Sequence, residues 1–195
     1  MMRENWTTTA WLIATAVIVL SVQSSARPQG SGSSRAAPPR TTRPQTPEEF
    51  HESFWKYLNR TESPYRKWSG VPGKSDMQKG EEPHGAFTRT YLNKIAADDF
   101  EKLPLGSILV TENYDKDKKT LKDITVMYRS KGADPQHNDW YWLKYLPNGS
   151  IARTSEKEGK KPIAGKVASC IDCHSKAAGK DLAYSNDPAT KAEEK

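Results

Sequence analysis

The sequence predicts an α+β domain over residues 47–187 of a chain of 195 residues. Three observations support this fold class. A capped, amphipathic segment opens the domain, as a helix does. Segments rich in β-branched and aromatic residues follow, joined by short turns, which favours an antiparallel sheet. A Cys-x-x-Cys-His motif with helical spacing lies near the end of the chain. We therefore expect helices at the two ends of the domain and a sheet between them.

The first helix is predicted over residues 47–59. Thr46 and Glu49 have the spacing of a capping box, and Pro47 lies at the first helical position. Phe50 and Phe54 begin an apolar stripe at helical spacing. We expect this stripe to pack into the core.

The middle of the domain is predicted to be mostly strand. Residues 63–85 are rich in Pro, Gly, Ser and charge, which is typical of a loop. Asn148-Gly149 is a strong hairpin signal and predicts a partner strand from about Ser150. The predicted strands, interrupted by a brief helix over 96–102, are 86–92, 107–114, 123–129 and 140–145.

The N-terminus resembles a secretory leader. Residues 10–22 are apolar apart from small hydroxyl side chains, and Ser24 and Ala26 stand where a signal peptidase requires small residues. We expect residues 1–26 to be a signal peptide and the protein to be exported to the periplasm. The alternative is an uncleaved anchor, although the apolar run is short for a membrane span.

The flanking segments explain the charge of the chain. Residues 27–46 lack aromatic and large aliphatic side chains, which predicts a disordered linker. Four of the six net positive charges come from its four arginines. Residues 188–195 form a charged tail. Because the domain itself has interspersed lysines and acids and no basic stripe, we expect no nucleic-acid partner.

The motif that carries chemistry is Cys170-Ile171-Asp172-Cys173-His174. Its spacing is that of covalent haem attachment, in which two thiols bond the haem vinyl groups and the adjacent imidazole binds iron. We therefore predict one haem c per chain, held by Cys170 and Cys173, with His174 as the iron ligand. A zinc site or a thioredoxin-like redox pair is the alternative.

The second axial position of the iron is predicted to be open. Residues 175–195, which follow the motif, contain neither methionine nor histidine. An open iron binds small ligands, whereas one with both axial positions filled only passes electrons. The side chains that would close it are His84, His137, Met77 and Met127.

Several stretches resemble the cytochrome P-460 family, which includes the β-sheet cytochromes c-prime-beta. The resemblance spans residues 47–187 and implies a five-stranded antiparallel sheet with flanking helices, a C-terminal helix that carries the haem motif, and a homodimer. The matching stretches are HGAFTRTYLN (84–93), LPLGSILVTENY (103–114), ITVMY (124–128), DWYWLKY (139–145) and GKVASC (165–170).

The resemblance also divides the possible functions. Its P-460 members oxidise hydroxylamine and carry a lysine joined to the haem, whereas the c-prime-beta members bind nitric oxide or carbon monoxide. Thr111 stands at the position of that lysine, which disfavours the oxidase. Lys144 on another strand is the alternative donor. A small diatomic or nitrogen-oxide ligand is therefore the expected partner, together with a redox protein of unknown identity.

The resemblance assigns two further residues to the haem pocket. Arg89 matches an arginine on the distal side, where it would hydrogen-bond an iron-bound ligand, and is the candidate catalytic residue. Phe87 matches an aromatic position that limits the pocket volume. We expect Glu112 to be exposed or next to a haem propionate. The expected function is binding, or slow conversion, of a small nitrogen ligand, with hydroxylamine oxidation and six-coordinate electron transfer as alternatives.

Overall fold

A computed structural model describes residues 45–74, 76–179 and 181–187. The predicted signal peptide, all but the last two residues of the predicted linker, and the predicted tail lie outside the described residues. No helix among the described residues is long and apolar enough to cross a membrane.

The described residues contain three α-helices: α1 (Pro47–Leu58), α2 (Lys94–Asp98) and α3 (Ala168–His174). The predicted capping box of α1 is confirmed, because the Glu49 amide donates to Thr46 Oγ1 and the Thr46 amide donates to Glu49 Oε2. The predicted stripe is buried at Phe54 and Leu58.

Helix α2 begins two residues earlier than the sequence predicts. The physical reason is Asn93, whose side-chain oxygen accepts from the amides of Ala96 and Ile108. Asn93 therefore caps the helix and ties its start to the strand that follows.

The predicted antiparallel sheet is confirmed. In the described part of the chain it has seven strands, not the five that the resemblance implies, because three two-residue pairings extend four long strands. Its order is β1-β3-β4-β5-β6-β7, with β2 also pairing with β3. The strands are β1 (Ser69–Gly70), β2 (Gln78–Lys79), β3 (Phe87–Leu92), β4 (Ile108–Tyr114), β5 (Leu121–Arg129), β6 (Trp140–Tyr145) and β7 (Ala164–Gly165).

The strand predicted from Ser150 is wrong. The turn does form, with the Gly149 amide donating to Leu146 O, but it is followed by two isolated bridges, Tyr145 with Ile151 and Arg153 with Pro162, and not by a strand. The predicted loop over residues 63–85 is also partly wrong, because it contains β1, β2 and a short 3-10 turn, Tyr65–Lys67.

Both faces of the sheet are covered, each by a separate apolar cluster. One cluster packs α1 against the sheet through Phe54, Leu58 and Val110. The other packs α2 and α3 against the opposite face through Leu109 and Ile171. Neighbouring strand residues point to opposite faces, so Val110 and Leu109 identify the α1 face and the α3 face of the sheet.

Candidate haem site

The motif residues lie on α3, against one face of the sheet. Cys170 and Cys173 are three residues apart and His174 follows, so the helix places both thiols and the imidazole on neighbouring positions of one side. The two thiols are free and partly buried. Burial raises the pKa of the Cys170 thiol, which therefore remains protonated.

The imidazole of His174 is oriented by the chain that follows the helix. Its Nδ1 lies 2.7 Å from the carbonyl oxygen of Leu182. A carbonyl only accepts, so Nδ1 carries the proton and Nε2 keeps a free lone pair. Burial also lowers the pKa of His174, which favours the neutral ring that binds metals.

The segment that supplies Leu182 is fixed to the sheet. The indole of Trp140 donates to the Asp181 carbonyl at 2.7 Å, and Arg129 lies 3.1 Å from the Asp181 carboxylate. Asn186 donates to the carbonyl of Phe100, near the end of the α2 region. These contacts hold the Leu182 carbonyl in position to accept from His174.

Aromatic side chains surround His174. The Trp142 ring meets it edge-on, with centroids 4.7 Å apart, and the Tyr184 ring lies at 5.4 Å. The indole nitrogen of Trp142 is buried and has no hydrogen-bond partner among the described residues. Because a buried donor ordinarily has an acceptor, this one fits a bound group that brings acceptor atoms.

A second histidine faces His174. His84 lies on the turn between β2 and β3, and its ring centroid is 6.3 Å from that of His174. Burial lowers the pKa of His84, so it too is neutral. Its Nδ1 lies 3.1 Å from the side-chain oxygen of Asn113 on β4.

Thr111 lies on the α3 face of the sheet. It is next to Leu109 by strand alternation, and its hydroxyl lies 2.9 Å from that of Thr90. Lys144 on β6 shares this face, but its ammonium is paired with Asp123 at 2.9 Å. The position that the resemblance gives to a cross-linking lysine is thus on the α3 face and holds a short hydroxyl side chain.

Arg89 and Phe87 do not lie on the α3 face, which corrects the expectation that they line the haem pocket. In β3 they alternate with Thr88 and Thr90 and share the α1 face with Tyr91. The guanidinium of Arg89 is about one-third exposed and pairs with Asp76 at 3.0 Å.

Sequence reasoning missed the strongest polar cluster of the domain, which centres on Glu112. This carboxylate is buried, with a side-chain exposure of 1%, on the α1 face. The expectation that it is exposed or next to the haem is therefore wrong. Its four hydrogen-bond donors are Tyr65, Arg66, Tyr91 and Tyr114. The one sequence signal for its burial is alternation on β4, because Glu112 lies on the same face of the strand as the buried Ile108 and Val110.

Two thiols and an oriented imidazole on one side of a helix, set against an antiparallel sheet, define a haem protein of the cytochrome c class. The donor set and the unpaired indole of Trp142 fit a haem. The description Cytochrome P460 belongs to the family model that matches residues 63–185, and the chain belongs to this family. The family implies a haem cofactor. A comparison with curated proteins found no match.

Proposed function

We propose that this protein is an exported cytochrome with one covalent haem c, which binds or slowly converts a small nitrogen ligand such as nitric oxide. Cys170 and Cys173 would hold the haem through thioethers to its two vinyl groups, and His174 would supply Nε2 to the iron. The haem supplies an iron that coordinates small ligands. The proposal includes a periplasmic location and a homodimer.

The observation that supports ligand binding is that His84, whose ring faces that of His174, lies on a short turn. His84 belongs to a short turn closed by its own amide, which donates to the Glu81 carbonyl at 2.8 Å. A turn of a few residues moves at a lower cost than a strand or helix within a sheet domain. Movement of this turn would therefore make room for a ligand opposite His174 while the sheet stays intact.

The structure disfavours hydroxylamine oxidation of the cross-linked type. Thr111 has no amine, and the ammonium of Lys144 is held by Asp123. A six-coordinate electron carrier is the second candidate. It is favoured by the 6.3 Å separation of the His84 and His174 rings.

The test begins with haem attachment. The matured protein should keep its haem on a denaturing gel, and the double variant Cys170→Ser, Cys173→Ser should lose it. His174→Ala is the matched control, because it should keep the covalent haem while its absorption spectrum changes.

Ligand binding is tested with the reduced protein. An ordinary c-type Soret band that shifts on addition of nitric oxide or carbon monoxide supports the proposal. A strongly red-shifted band before addition would reveal a haem bonded to a further side chain and would support the oxidase. If the Soret band does not shift with either gas, in the wild type or in His84→Ala, ligand binding is contradicted and electron transfer becomes the favoured function.

A further inference from the structure

The two imidazoles near α3 have the separation of a pair of trans axial ligands. An imidazole nitrogen lies about 2 Å from a bound transition metal and roughly 1 Å from its ring centre, so two trans rings have centroids about 6 Å apart. The centroids of His84 and His174 are 6.3 Å apart. Their planes meet at 69°, which is compatible with this arrangement because each plane only has to contain the axis through the metal.

The hydrogen-bond chain behind His84 fixes its tautomer. Asp123 accepts from the side-chain amide nitrogen of Asn113 at 2.6 Å. The amide is therefore oriented with its oxygen toward His84, so Nδ1 of His84 is the donor. The free lone pair of His84 is consequently on Nε2, the same nitrogen that is free on His174.

Lys144 stabilises this arrangement at two points. Its ammonium is 2.9 Å from the Asp123 carboxylate and 3.4 Å from the Pro83 carbonyl, which adjoins His84. Gly85 lets the turn approach β4, since a Cβ there would collide with the backbone of Tyr114. A metal-binding histidine ordinarily has its other nitrogen held in this way by a hydrogen bond.

Two of the other candidates for this position, His137 and Met127, have different surroundings. His137 lies in the loop after β5, where Nδ1 is 2.7 Å from the Asp134 carboxylate. Met127 is buried in the apolar cluster of the α3 face with Leu109. Among these three side chains, only His84 has its ring opposite His174.

We propose that Nε2 of His84 is the second axial ligand of the haem iron and is replaced when a small ligand binds. The inference rests on the proposed haem attachment. One coordinate bond breaks as another forms, and no oxidation state changes. Asn113 is a positioning residue, since it acts through His84. The turn that carries His84 thereby sets how readily the iron accepts a ligand.

The test uses the ferric haem-loaded protein and electron paramagnetic resonance. The wild type should give a low-spin signal, and His84→Ala a high-spin signal that returns to low spin when imidazole is added. His137→Ala is the matched control and should stay low spin. Asn113→Leu keeps His84 but removes its acceptor, so it should raise the high-spin fraction.

Gas affinity gives a second measurement. If His84 occupies the iron in about 99% of molecules, its removal strengthens the apparent affinity of the ferrous protein for carbon monoxide about 100-fold. A high-spin wild type, or a low-spin signal that survives in His84→Ala, would overturn the inference while leaving ligand binding intact. A low-spin wild type whose His84→Ala variant binds no gas would support the ligand role and contradict the proposed function.

Discussion

Replacing Glu112 by glutamine should destabilise the domain although the residue lies on the face of the sheet opposite α3. Arg66 Nε and the hydroxyl of Tyr65 donate to one carboxylate oxygen at 2.6 and 2.7 Å. Tyr114 and Tyr91 donate to the other at 2.6 and 3.2 Å. Glutamine keeps the shape, but it loses the charge and places a donor where two donors already converge.

The magnitude follows from these contacts. Hydrogen bonds to a charged group contribute about 1.5–3 kcal/mol each, and the amide weakens at least two of them. We expect Glu112→Gln to lower the free energy of unfolding by about 2–4 kcal/mol. For a domain of this size that lowers the melting temperature by about 6–12 °C.

The effect should depend on pH in one direction. Burial alone would raise the pKa of Glu112, but hydrogen bonds from Tyr114 and Tyr65 and the Arg66 charge outweigh it and hold the pKa below its ordinary value. A carboxylate with a lowered pKa stabilises the fold above its unfolded-state pKa, and this contribution is lost as the pH falls through the folded-state pKa. The difference between wild type and Glu112→Gln should therefore be full near neutral pH and shrink in acid.

The assay is urea unfolding of the haem-loaded protein, followed by far-ultraviolet circular dichroism at several pH values. Asp76→Asn is the matched control. This carboxylate pairs with Arg89 but is 84% exposed, so its loss should cost at most about 0.5 kcal/mol. The reasoning is refuted if Glu112→Gln unfolds within about 0.5 kcal/mol of wild type, or if the difference between them is the same at every pH.

Two further predictions concern Arg89 and Gly149. Arg89→Ala should leave the haem spectrum and the affinity for carbon monoxide unchanged, because Arg89 lies on the α1 face and pairs with Asp76; a change in affinity above about 3-fold would restore a distal role. Gly149→Ala should cost about 2–4 kcal/mol in urea unfolding, since Gly149 has a φ of +87° and a Cβ there would meet the indole of Trp55. A loss of less than about 1 kcal/mol in the free energy of unfolding would show that the turn adjusts to the added Cβ.

Local signals in the sequence predicted local structure well. The capping box at Thr46 and the spacing of Cys170, Cys173 and His174 involve residues three or four apart, so their geometry is set by one helical turn. Alternation likewise predicts β5, and a run of aromatic side chains predicts β6. Two-residue strands such as β1 and β7 have too few residues to show a period, which explains why they were missed.

The sequence does not determine which face of the sheet packs against α3. Both faces are covered by apolar clusters, so alternation separates Thr111 from Glu112 but does not say which of them faces α3. The resemblance assigns Arg89 and Phe87 to the haem pocket, and the β3 register places both on the α1 face. The sequence offers His84 as one of four candidates for the second axial ligand, because the sequence of a turn does not determine where its side chains point.

The contact that orients His174 comes from residues that follow the motif in the sequence. Under the proposed haem attachment the motif would supply both thioethers and the iron ligand, whereas the carbonyl that holds the imidazole belongs to Leu182, eight positions later. Loss of residues 181–187 would remove the acceptor that holds Nδ1 of His174, so the orientation of the proposed iron ligand depends on a segment outside the motif.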